Sequence, residues 1–134
     1  MLFSFPLFLI SFAIYNMIVF LTPGVSWGGT VVSVPMQSGA TWTVTAGDCL
    51  IALALVFLFF EVLKATRAYS RTIIDHMLST LVFIGALIEF LLVKEAATSV
   101  FATLLLISLV DVIGGWTVSM GAARREITVD NPPK

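Results

Sequence analysis

Charge is what this sequence has least of. Of 134 residues only seven are Lys or Arg and eight are Asp or Glu, 11% in all. A soluble domain carries about a quarter. The formal net charge of −1 gives no electrostatic reason to bind nucleic acid or acidic lipid. A single cysteine, Cys49, excludes an intrachain disulfide and a thiolate metal cluster. A single histidine, His76, leaves few ways to build an imidazole metal site. No G-x-S-x-G, H-E-x-x-H, Walker loop or dinucleotide fingerprint occurs, so nothing points to an enzyme. No cofactor is indicated.

Apolar residues are present in excess. They make up 59% of the chain, and the mean hydropathy is +1.06. Runs of roughly 18 or more apolar residues indicate membrane-spanning helices, and four such runs are expected, over about 2–21, 49–66, 73–93 and 96–118. They use most of the sequence. The fold class expected is an all-α integral membrane protein, 1–134 forming one four-helix domain. The first run lacks a basic flank and an A-x-A-like site, and is read as a retained span rather than a signal.

The basic residues are lopsided. Lys64, Arg67 and Arg71 surround the link between spans two and three, and Arg124, Arg125 and Lys134 follow span four. Only Lys94 lies on the other side. The positive-inside rule places both termini in the cytoplasm of a cell inner (plasma) membrane. The loop 22–48 and the turn at Lys94–Glu95 then face outward.

That loop contains two runs rich in β-branched residues, Thr30 to Val34 and Ala40 to Thr45, joined by "PMQSG". They predict a short β-hairpin between helices 1 and 2. Trp27 and Trp42 suit the headgroup level and are candidates for docking. Asp48 is placed to cap span two. Four helices with a β-rich first outer loop are similar in outline to claudin-type proteins. The loop here has no cysteine, whereas a tryptophan and cysteine pattern marks that family, and nothing is carried over. The tail 119–134 is expected to be cytoplasmic. Its end, "RREITVDNPPK", reads as a disordered terminus, with a period-two alternation at Ile127 and Val129 as the competing strand-like reading.

An acidic side chain at the centre of a membrane helix costs ~2.5–3.5 kcal/mol on insertion scales, so such residues face protein or water. Glu61 has Lys64 one turn on and is expected to pair with it while reaching toward the interface. Asp75 and His76 open span three, where Asp75 complements the helix dipole; with Arg67 and Arg71 they form a cytoplasmic-interface group. Asp75, Ser79, Val82, Ala86 and Glu89 fall at spacings of three and four and form one stripe, with Gly85 beside it. That stripe is expected to face another helix, of this chain or of a neighbour.

Asp111 stands apart, near the middle of span four with no basic residue within a turn. Ser108 and Gly115 share its face, and Gly114–Gly115 permits close approach of a second backbone. Three solutions are open: a hydrogen bond to another helix, a place on an ion or proton path, or pairing with a partner's base. The function expected is an accessory or assembly subunit of a larger membrane complex, or a self-associating scaffold. Its partners are then the lipid bilayer and other membrane subunits or itself. The alternative is a homo-oligomeric ion or proton channel, or a proton-coupled carrier, using Asp111 and Glu61.

Overall fold

A computed structural model describes residues 6–65 and 69–130, the side chains of 64, 65, 69–73 and 118–130 excepted. These residues form α1 (Phe8–Leu21), β1 (Thr30–Pro35), β2 (Thr41–Thr45), α2 (Ala46–Ala65), α3 (Tyr69–Leu92) and α4 (Ser99–Asp130), with a 3-10 turn at Lys94–Ala96. The protein is therefore mostly helical, with one small two-stranded hairpin. Among the described residues, three stretches are long and apolar enough to cross a membrane: Ala46–Leu63, Ile74–Leu92 and Ser99–Thr117. The described α1 has 14 residues. At ~1.5 Å per residue it is about 21 Å long, shorter than a hydrocarbon layer of roughly 30 Å.

The hairpin marks one end of the bundle. α2 and α4 run away from it and α1 and α3 run toward it, with α4 packed most extensively on α2 and α3. β1 and β2 are antiparallel, Val32 opposite Val44 and Val34 opposite Trp42, with a bulge between Thr30 and Val32. The turn closes through Met36 N–H to Ala40 O at 2.8 Å and Gly39 N–H to Met36 O at 3.0 Å. Gly39 has φ +90°, a conformation that a side chain resists. The loop is tied to the start of α2 by Ala46 N–H to Gly29 O, 3.1 Å, and Gly47 N–H to Trp27 O, 3.0 Å.

Sequence reasoning put the cap of α2 at Asp48, and the structure moves it. Thr45 is the N-cap: its Oγ1 accepts from Asp48 N–H at 3.1 Å, while Asp48 Oδ2 accepts from Thr45 N–H at 3.0 Å. This is the reciprocal capping box, in which the carboxylate belongs three residues inside the helix rather than at its threshold.

Two further boundaries differ from expectation. α3 begins at Tyr69, so Asp75 is not in its first turn. No proline or glycine lies between Tyr69 and Asp75 to delay the helix. α4 continues to Asp130, so residues 119–130 are neither disordered nor extended. The helix formers Ala122, Ala123, Arg124, Arg125 and Glu126 carry it past the apolar span, and local propensity outweighs the short period-two alternation. Residues 131–134 lie outside the described ones.

The core near the hairpin is aromatic. Phe101 is its hub, with Phe12, Tyr15 and Phe90 at ring-centroid distances of 5.4, 4.9 and 6.1 Å. Tyr15 is fully buried and stacks on Trp27 at 4.9 Å, so Trp27 belongs to the core edge while Trp42 is exposed. The Tyr15 hydroxyl donates to Glu95 O at 2.9 Å and lies 2.7 Å from Thr98 Oγ1. Thr98 Oγ1 also accepts from Phe101 N–H at 3.2 Å, which caps α4. Since the tyrosine proton is used on Glu95, the threonine proton goes to Tyr15. One phenol thus ties α1 to the α3–α4 turn. Tyr15→Phe is expected to lower unfolding stability in detergent by about 1–2 kcal/mol. Thr103→Ala, which removes only the local bond to Ser99 O, serves as the near-neutral control in the same melt.

Candidate functional site: a buried polar core

The opposite end of the bundle has a different interior. Glu61 of α2, Asp75, His76 and Ser79 of α3, Ser108 and Asp111 of α4, and Ser11 of α1 are each at most 3% exposed. Every helix contributes. Buried carboxylates are rare unless partnered or functional, and three of them lie here with the chain's one imidazole.

The arrangement follows from helix contacts. Gly115 of α4 is where His76 of α3 lodges: a Cβ at 115 would fall 2.9 Å from His76 Nε2 and closer still to Cε1 and Nδ1. Next to it, Trp116 Nε1–H donates to Thr80 Oγ1 at 3.0 Å, and that hydroxyl donates to His76 O at 2.7 Å. The Trp116 and His76 rings are 6.1 Å apart. α3 and α4 are thereby fixed in register, and one turn nearer the hairpin the register brings Ser79 and Asp111 to the same level.

α2 and α4 run the same way from the hairpin end, where a Cβ at Gly47 would lie 2.7 Å from Val100 Cγ2. Counting along both helices from that contact sets Glu61 and Asp111 within about one helical turn in depth. Glu61 also receives α1: its Oε1 accepts from Leu7 N–H at 2.6 Å, and no side chain of α1 caps that end. Ser11 follows one turn along α1. Two hydroxyls in this core, Ser11 Oγ and Ser79 Oγ, have no hydrogen-bond partner among the described residues. No group of three His, Cys, Asp or Glu side chains among the described residues could hold a metal ion.

The stripe Asp75, Ser79, Val82, Ala86 and Glu89 does face other helices, and they are helices of this chain. Asp75, Ser79 and Ala86 are buried and Val82 and Glu89 are partly so. Gly85 beside it is exposed, with open space where a Cβ would be. Glu61 does not reach toward the interface as expected; it is fully buried, because the start of α1 needs an acceptor there. Asp75 and His76 are likewise buried in the bundle, six and seven residues beyond the start of α3. Of the glycine pair, Gly115 makes the close approach, to a side chain rather than a backbone, and Gly114 has nothing within 4 Å. The Lys64 side chain and Arg67 lie outside the described residues, and of Arg71 only the helical backbone is described.

Sequence reasoning passed over the polar residues of α1. Ser11, Tyr15 and Asn16 are polar side chains of that helix; Ser11 and Tyr15 are buried, and Asn16 Nδ2 donates to Glu89 Oε1 at 3.1 Å. Their spacing in an otherwise apolar run was a usable signal for a buried face. No family profile, curated protein or solved structure matches this chain.

A methyl group at 115 has nowhere to go without moving the imidazole. Gly115→Ala is expected to destabilise by about 1–3 kcal/mol, the usual cost of overpacking, and to shift the His76 ring resonances. Gly114→Ala, at the open neighbour, is expected to leave both unchanged.

Proposed function

We propose that this is a multi-pass inner-membrane protein whose polar core takes up protons or a small hydrated cation from the cytoplasmic side. The observation that carries this reading is the burial of Glu61, Asp75, His76 and Asp111 within one chain's bundle. Insertion is supported by the three long apolar helices and by the large apolar side chains left on their outer faces, such as Leu81, Leu91, Leu106, Val110 and Ile113. Lipid is the natural cover for such faces. The basic residues at 64, 67, 71, 124 and 125 support the orientation, hairpin outside and both termini in the cytoplasm. The polar core then lies in the cytoplasmic half, and the aromatic core around Phe101 closes the outer half. This division suits a carrier more than an open pore.

The earlier expectation of an accessory subunit drew on stripes suited to helix contacts. Those stripes are used inside the bundle, which weakens the argument for a partner. What still favours the accessory reading is the hairpin, where Val32 and Trp42 are 49% and 57% exposed on one face. Stoichiometric foreign subunits in native mass spectra from gently solubilised membranes are the result that reading requires. Neither reading involves catalysis.

The test of the carrier reading is flux. Wild-type protein in vesicles carrying an interior pH dye or cation dye is expected to dissipate an imposed gradient faster than protein-free vesicles. Asp111→Asn and Glu61→Gln, checked for unchanged melting, are expected to fall to the protein-free rate. Equal rates for wild type and Asp111→Asn would end the proposal.

A further inference from the structure

α1 and α3 diverge along one side and leave a groove of ≈ 330 Å³. Its wall is graded. At the hairpin end lie Asn16 and Glu89; toward the middle of the bundle it continues with Phe12, Leu9, Leu81 and Val82. Gly85 forms part of the floor, with open space at its Cβ position.

The polar end has a definite hydrogen-bonding requirement. Asn16 Nδ2 donates to Phe12 O at 3.1 Å and to Glu89 Oε1 at 3.1 Å, which consumes both amide hydrogens. The opposite amide orientation would set the amide oxygen against two acceptors, Phe12 O and Glu89 Oε1, so the network fixes it. What is left is Asn16 Oδ1 and Glu89 Oε2, both buried and without a hydrogen-bond partner among the described residues. Both are acceptors. An occupant must therefore bring N–H or O–H donors, and a carboxylate favours a donor with positive charge. Lys94, at the turn beyond α3, is exposed and makes no hydrogen bond to Glu89.

We infer that this groove binds a phospholipid whose headgroup ends in a primary ammonium, with one acyl chain along the apolar floor. The inference rests on the membrane-spanning reading but not on the polar core or on proton uptake. Three features select a lipid. The polar pair lies within about a turn of the outer end of α3, at headgroup depth. The apolar part runs from there toward the membrane centre. The volume is at the low end for small-molecule sites, which suits a slender chain better than a helix about 10 Å across. The donor requirement selects ethanolamine-type headgroups. A choline headgroup has the charge without N–H donors, and a glycerol headgroup has donors without the charge.

The experiment uses the full chain in mild detergent, offered equal amounts of phosphatidylethanolamine, phosphatidylcholine and phosphatidylglycerol, with retained lipid weighed by native mass spectrometry. Wild type is expected to keep one phosphatidylethanolamine, several-fold over the other two. Glu89→Gln is expected to lose the preference, and Gly85→Leu, which projects into open space and so leaves the fold intact, to lose the lipid. Equal retention of the three lipids, or no retention, overturns the inference. A preference that survives both substitutions does so as well, because it places the lipid elsewhere. Vesicle flux is unaffected by these outcomes, so failure here and failure of the proposed function are separable.

Discussion

The hydrogen bond from Leu7 N–H to Glu61 is the constraint on which the rest depends. The start of α1 meets the buried Glu61, and the first N–H groups of a helix need acceptors from outside it. An unsatisfied buried donor costs about 1–3 kcal/mol, and a buried carboxylate without a donor more. Glu61 supplies the acceptor that the Leu7 N–H needs. The pairing also draws Glu61 into the interior and sets the level at which α1 meets α2. Ser11 and Asn16 then take their depths from that level, so both the polar core and the lateral groove depend on it.

A second constraint is steric. The absence of a side chain at Gly115 admits His76, and Trp116 with Thr80 holds the two helices in that register. Helix contacts of this kind are decided by small residues and short hydrogen bonds, since apolar area alone gives little preference between protein and lipid. The result is a bundle with two interiors. Around Phe101 it is aromatic and closed; below Asp111 it is polar.

Much of this was legible in the residues, and what was not has physical reasons. The stripe from Asp75 to Glu89 announced a buried face, because helical spacing alone fixes which residues share a side. The hairpin followed from β-branched runs around a turn sequence with Gly39. Gly115 was legible as a point of close approach, but its occupant was not, since pairing between helices is a tertiary choice. Asp48 was read one position role away, as the cap instead of the capping box's inner member. The start of α3 and the end of α4 were set too short because hydropathy marks where a membrane would end, whereas helix propensity marks where the helix ends. The acceptor role of Glu61 for α1, more than fifty residues away, could not be seen locally.

In its protonic form, the proposed uptake requires that the carboxyl groups of the polar core change protonation rather than stay fixed as structural glue. Difference infrared spectroscopy of the protein in bilayers, titrated from acidic to alkaline pH, reads this directly from the carboxyl C=O stretch. The account predicts a protonated-carboxyl band that rises and falls with pH and loses a component in Asp111→Asn. A spectrum unchanged across the titration, or identical in the variant, would contradict it.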